Sequence, residues 1–546
     1  MRKIVSLLFI FTLLLSGIAQ ADTAISAAGA AGLKKQVEDD LQWRVDMAKV
    51  LGQGISTDGK VEIIPKADFY EVKLPHISLL TGPKGKLDIG TITFNATPGQ
   101  KPGTWQIQAT LPSAMTFYSA ANDPLADITL GNQRFSGTWY PDMAIYPKID
   151  LLLQNIRIKS KDQSKTTVDI TAIKALIDLK DNGDSSWNGS IDAEFSGINA
   201  SIAGAHPVTI GVGEVSSHTI YDRLDMNQAL KAKEEIQKYL KAGTEQADKS
   251  KQAYVTKLLS QSSMPANGLD GKFQINKFHL HAIAPTEQEP PRDLNFDKLT
   301  ISSTAADAQQ EKGHVSLKTN LSGLHDSFVA PVLADLLPQT FNAEITIDNL
   351  PIKKMADLLF TTIQKSADKA ATLPAADGQN QTKADMSAMM DLLPKMFQED
   401  GTSVSIQNTS IKSAALETTL SGKLDANAAS PLGAIGKMTL TIKGLDEFIK
   451  KLQGSALQPG ADPHVLGYLG GLSFLQMRGH PDRAADGTSL SNYIFELTQD
   501  GKTLLNGVDL KPSSANQNSP AIPPGSMQSS PAPSPLSPEK PAIPKP

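Results

Sequence analysis

The sequence predicts an α+β protein that is mainly β: a large, curved antiparallel sheet with amphipathic helices packed on it. Three observations predict this. Apolar and polar residues alternate with period two over many stretches. Several of these runs slip phase by one residue midway, which is what a β-bulge does to a strand. In the second half, a strand repeatedly runs into a tight corner and then into a short amphipathic helix.

The elements follow in chain order. Residues 1–21 read as a cleavable signal peptide. Arg2 and Lys3 form a positive start, Ile4 to Leu15 an apolar segment, and Ala19-Gln20-Ala21 a small-x-small cleavage site. The apolar segment is too short to remain as a span, and no later stretch approaches about 20 uninterrupted apolar residues. A periplasmic location with no integral membrane span after cleavage is therefore expected. Leu33 to Leu51 predict a helix, because Leu33, Val37, Leu41, Val45 and Ala48 keep three-and-four spacing.

The period then changes to two. Trp105, Ile107, Ala109 and Leu111 alternate with Gln106, Gln108 and Thr110. Ile149, Leu151 and Leu153 alternate likewise, as do Trp187, Gly189, Ile191, Ala193 and Phe195. Strands with one apolar and one polar face belong to antiparallel sheets covered on one side. Leu87 and Ile89 give way to Ile92 and Phe94, and Phe273 and Ile275 to Phe278 and Leu280, each with a one-residue slip. Such slips bend and twist a sheet. From Met226 to about Ser260 a Lys-, Glu- and Gln-rich segment carries a thin apolar stripe that includes Leu230, Ile236, Tyr239 and Leu240. It predicts a surface helix or helical pair, read foremost as a lid over one end of the sheet.

Three strand–corner–helix units follow. Ile345 to Leu350 leads into Pro351 and a stripe of Ile352, Met355, Leu359 and Ile363. Leu440 to Leu445 leads into Leu445, Phe448, Ile449 and Leu452. Leu317 to Leu324 leads into Phe328, Val332 and Leu336. Gly323, Asn349 and Gly444 at the corners suit left-handed backbone. Tyr493, Phe495 and Leu497, then Asp500-Gly501, then Leu504 to Leu510 predict a closing hairpin. The last 36 residues, from Lys511, contain 11 prolines and no aromatic residue, which predicts a disordered tail. The organisation expected is a signal peptide (1–21), a helix, sheet and helical arm (22–265), a β-rich domain with short helices (266–510) and a Pro-rich tail (511–546).

Composition narrows the chemistry. There is no cysteine, so thiol nucleophiles, thiolate zinc sites and iron–sulfur clusters are excluded. Without Arg2 and Lys3 the charge is 50 basic against 57 acidic residues, or −7. That balance gives no support to nucleic-acid binding. No phosphate-binding loop, nucleophile elbow or zinc-protease helix occurs. His279 and His281 lie two apart on one strand and so share a face. With no third ligand nearby in sequence, they are read as solvated. Asp222, Asp225, Glu234 and Glu235 are read as favourable charges at a helix start. Met386, Met389, Met390 and Met396, with Leu392 and Leu393, are read as the packed stripe of an amphipathic helix. No residue is assigned a catalytic, cofactor-binding or metal-binding role, and no cofactor is expected.

The C-terminal half carries a pattern of glycine and apolar residues: Leu420-Ser421-Gly422-Lys423-Leu424, then Gly436 to Leu445, then the Asp500-Gly501 hairpin with Leu505-Asn506-Gly507. Together with the strand, corner and helix order of 311–455, it resembles the YdgA-like exported bacterial families and, in style, the long-sheet proteins of the AsmA type. The resemblance implies an envelope protein without known enzymatic activity and transfers no site residues. The function expected is that of a non-enzymatic periplasmic envelope protein that binds a lipid or other hydrophobic ligand in a β-sheet groove. Two other readings stay open. One is an envelope scaffold that docks a protein partner through the Pro-rich tail or the charged helix. The other is a hydrolase of envelope polymers.

Overall fold

A computed structural model describes residues 25–50, 54–80, 85–141, 145–161, 165–204, 207–241, 266–283, 291–327, 329, 331–370, 387, 390–456 and 463–510. The expected signal peptide, the second part of the charged helical segment (242–260), Phe328, Met386, Met389 and the Pro-rich tail lie outside the described residues.

Helix α1 (Ala27–Val50) starts six residues before the predicted Leu33. Ser26 caps it: its hydroxyl accepts the N–H of Gly29 at 3.0 Å. Leu33, Val37 and Leu41 are buried as the spacing predicts. The buried stripe is wider than the apolar one, because Gln36, Asp40 and Arg44 are also inside. Gln36 accepts the indole N–H of Trp105 at 2.9 Å, and Arg44 Nε donates to Asp40 Oδ2 at 2.6 Å.

The strands form one 24-stranded sheet in which every pairing recorded is antiparallel. The first group is β1 (Gly54–Asp58), β2 (Glu62–Pro65), β3 (Tyr70–Leu80), β4 (Gly85–Pro98), β5 (Trp105–Thr110), β6 (Ala114–Ser119), β7 (Pro124–Thr129) and β8 (Gln133–Tyr140). Four long strands follow: β9 (Ile145–Ser160), β10 (Thr167–Asp181), β11 (Ser186–Ile202) and β12 (Val208–Asp225). After α2 (Met226–Lys241) come β13 (Gly268–Ala282), β14 (Arg292–Ala306), β15 (Gly313–Ser322) and β16 (His325–Asp326). A 3-10 helix (Pro331–Leu336), β17 (Thr340–Leu350), α3 (Ile352–Ala370) and a helix α4 over 390–400 precede β18 (Ser403–Lys412), β19 (Glu417–Ala426) and β20 (Ala434–Lys443). The last elements are α5 (Leu445–Ala456), α6 (Pro463–Arg478), β21 (His480–Arg483), β22 (Ser489–Leu497), β23 (Thr503–Leu505) and β24 (Val508–Asp509).

From β9 to β15 each strand pairs with the next in a plain meander, and β17 to β20 do the same. Between β4 and β9 the ladder is filled by pairs of short strands: β5 and β6 lie along β4, and β8 and β7 along β9. Strand β12 pairs with β13 over most of its length, so the sheet runs unbroken past residue 265.

The phase slips read from sequence are real and share one cause. In β13 the slip falls at Lys277, whose φ is 54°, and in β4 at Gly90, whose φ is 89°. The slip in β13 belongs to a line across the sheet. Asn155, Thr171, Gly197, Gly213, Lys277, Asp297 and Gly323 stand opposite one another from β9 to the end of β15. On alternate strands this position is left-handed: φ is 53° at Asn155, 60° at Gly197, 54° at Lys277 and 70° at Gly323. A left-handed residue resets strand parity, so the apolar set steps by three and stays on the same face. In β9 the set is Leu151, Leu153, then Ile156; in β13 it is Phe273, Ile275, then Phe278.

Two of the three corner units form as predicted, at Asn349 (φ 54°) and Gly444 (φ 84°). The third differs. Past Gly323 the chain adds the short strand β16 and then a 3-10 helix in place of an α-helix. The predicted final strand, Leu504 to Leu510, is also broken. Asn506 (φ 51°) and Gly507 (φ 80°) make a second tight turn between β23 and β24. Asn-Gly with both residues left-handed is a favoured hairpin turn. Of the expected Met-rich stripe, Leu393 and Met396 on α4 are half-buried, whereas Met390 and Leu392 are exposed.

Candidate functional site

The apolar face of the sheet changes character along its length. One cross-strand row joins Leu153 on β9, Ile173 on β10, Phe195 on β11, Val215 on β12, Ile275 on β13 and Leu299 on β14. It continues through Leu321 to Phe341 and Ile411. Leu153 and Ile173 are 6% and 3% exposed, within the core that α1 covers. From Phe195 to Phe341 every member is half-buried, and Ile411 is 39% exposed. The neighbouring row repeats this, with Phe273 at 37%. Across the crease, Phe278 and Phe296 stack with ring centroids 4.9 Å apart on the same face.

Helices close this face at both ends of the run. At one end Leu33, Val37 and Leu41 of α1 belong to the continuous buried core that reaches β10. Met226, at the start of α2, packs with Leu179 and Trp187 at the strand ends. Asp225 supports that helix start by accepting the N–H of Asn227 at 2.9 Å, whereas Asp222 lies within β12 and Glu234 and Glu235 lie past the first turn of α2, so the expected helix-start role holds for Asp225 alone. At the other end α5 packs Leu445, Phe448, Ile449 and Leu452 against Ile442, Tyr493 and the inner side of α6. Between them the apolar face of the sheet carries the half-buried aliphatic and aromatic side chains of this row. Helix α6 keeps a second apolar side in solvent, where Tyr468, Phe474, Leu475 and Met477 are exposed. No helix among the described residues is long and apolar enough to cross a membrane.

The opposite face is polar and laced with cross-strand ion pairs, such as Lys174 with Glu194 at 2.9 Å and Lys318 with Glu344 at 2.8 Å. Exposed pairs of this kind contribute little stability each. His279 and His281 point from this face, as alternation predicts. The structure adds what the local sequence did not offer, a third group. Asp293, on β14, stands opposite His281 in register. Its Oδ1 lies 2.8 Å from His281 Nδ1 and 3.7 Å from His279 Nε2. The hydrogen bond from His281 holds the Asp293 carboxyl below the usual carboxylate range. This contact therefore stabilises the fold above the ordinary carboxylate pKa and is lost as pH falls through the lowered value. The only signal in the sequence was a carboxylate 12 residues on, and the hairpin register that pairs it was not legible.

Residues 260–486 match a family described as "Uncharacterized protein conserved in bacteria (DUF2125)". No curated protein and no solved structure matches the chain. The resemblance of the C-terminal half thus holds as similarity to an uncharacterised bacterial family, and the match does not carry the YdgA-like or AsmA-type names.

Proposed function

We propose that the trough between α1 and α5 is a binding groove for the acyl chains of a lipid, and that the protein is an exported, non-enzymatic carrier of the bacterial cell envelope. The observation that supports it is the exposure gradient along one apolar row. The same alternation that makes a closed core at Leu153 and Ile173 continues, half-exposed, to Ile411. A contiguous apolar surface that folding leaves open calls for an apolar occupant. A long face of aliphatic and aromatic side chains with only uncharged hydroxyls between them, such as Ser217 and Thr319, suits a flexible hydrocarbon chain better than a compact charged substrate. The signal-like residues 1–21 support export, and an AsmA-style long sheet is in keeping with the same role.

The test uses the purified full chain. Native mass spectrometry reads co-purified lipid, and titration with the fluorescent fatty acid cis-parinaric acid reads the empty groove. Saturable binding that Phe273→Asp and Leu317→Asp each weaken at least about tenfold supports the groove, since a charge in a hydrocarbon contact costs more than about 1.4 kcal/mol. Absence of both co-purified lipid and saturable binding overturns it.

A further inference from the structure

The polar face carries several cross-strand His–Asp contacts. His76 faces Asp88, His218 faces Asp192, and His314 lies 2.6 Å from Asp348. Each of these is one imidazole against one carboxylate. At β13–β14 a second imidazole converges on the same carboxylate, and among the described residues only His279, His281 and Asp293 form a group of metal-ligating type. We propose that these three side chains bind a divalent transition metal of the zinc class.

The geometry follows from the strand. Period two puts His279 and His281 on one face, with rings near parallel (20°) and centroids 6.3 Å apart. The antiparallel register puts Asp293 opposite His281, and its Oδ1 also lies 3.7 Å from His279 Nε2. All three donor atoms lie within 4.8 Å of one another. One ion bound at about 2.1 Å in tetrahedral geometry holds its ligand atoms roughly 3.4 Å apart, a separation within reach of small side-chain rotations here. Two imidazoles and a carboxylate are the donors that zinc takes, and magnesium and calcium prefer oxygen alone.

Two further features favour a built site over a chance cluster. The backbone of Asp293 is pinned on its outer side: its N–H donates to Ser327 Oγ at 2.6 Å, and its carbonyl accepts the Ser327 N–H at 2.8 Å. Asn295, opposite His279 in register, has its Oδ1 buried without a hydrogen-bond partner. A metal-bound imidazole donates its other ring N–H to such an acceptor, which fixes the ring. The three ligands leave a fourth position open to water.

Isothermal titration of the full chain, purified without a histidine tag and stripped with EDTA, tests the site. The expected result is one Zn²⁺ per chain, no heat with Mg²⁺, and visible d–d bands with Co²⁺ showing nitrogen ligation. His279→Ala, His281→Ala and Asp293→Asn should each weaken zinc at least about tenfold, and His218→Ala should not. All these side chains are partly exposed, so the variants should keep the parent's circular dichroism. Zinc binding that is undetectable at about 100 µM metal, or that the three substitutions leave unchanged, overturns the proposal.

Discussion

Arg44 and Asp40 sit one turn apart on α1 with side chains 5% and 3% exposed, a buried ion pair 2.6 Å apart. The Tyr146 hydroxyl lies near them, with its pKa pushed well up by burial. Desolvation makes such a pair costly to break from one side. Arg44→Ala should lower stability by about 3–5 kcal/mol, because it strands a buried carboxylate. The double change Asp40→Leu with Arg44→Met removes both charges and should cost far less. Guanidinium unfolding of the two variants separates these outcomes. The polar residues at 36, 40 and 44 share one helix stripe, yet polarity alone assigned them to solvent. Only the facing Trp105 and the mutual pairing explain their burial.

At the scale of the element, the crease across β9 to β15 is the feature most directly written in the sequence. Steps of three between apolar positions recorded it before any geometry was known. The residue that makes the step was not always a glycine. Lys277 takes φ 54°, a conformation that costs a non-glycine residue roughly 1 kcal/mol. Relief of that strain less glycine's own chain-entropy cost of about 0.5–1 kcal/mol leaves a net gain of at most about 0.5 kcal/mol, so Lys277→Gly should raise the unfolding midpoint slightly. A lowered midpoint would mean that the Lys277 side chain stabilises the crease by more than the strain. Near the last strands a second tight turn is written in the same local terms. Asn506-Gly507 is as strong a turn signal as Asp500-Gly501, but the apolar residues on both sides suggested one continuous strand.

For the whole molecule, the consequence of the gradient is uneven local stability. Strands β9 and β10 contribute buried residues to the core that includes α1, whereas β13 to β17 half-expose their apolar side. Sub-global opening should therefore be easier in the second region. Hydrogen exchange is expected to show slow amides at Leu151, Leu153 and Ile173, with faster exchange at Phe273, Ile301 and Ala343. An added fatty acid should slow exchange in the second group alone. Uniform protection along the sheet would argue that the trough is as firmly packed as the N-terminal core.

The sequence by itself determined the fold class, the alternating strands, the phase slips and the glycine or asparagine corners. Each depends on a residue's immediate neighbours: period, backbone conformation and turn chemistry are local. Tertiary structure decided the rest. Whether an alternating strand is closed or open depends on what lies over it, and the buried core that includes α1 takes in β9 and β10 but not β13 to β17. The burial of Arg44 and the approach of Asp293 to His279 and His281 depend on partners 4 to 14 residues away along the chain whose register or packing no local pattern encodes. Residues 260–486 are similar to an uncharacterised bacterial family, and the exposure of the apolar rows and the place of Asp293 beside the histidine pair had to be read from the assembled sheet.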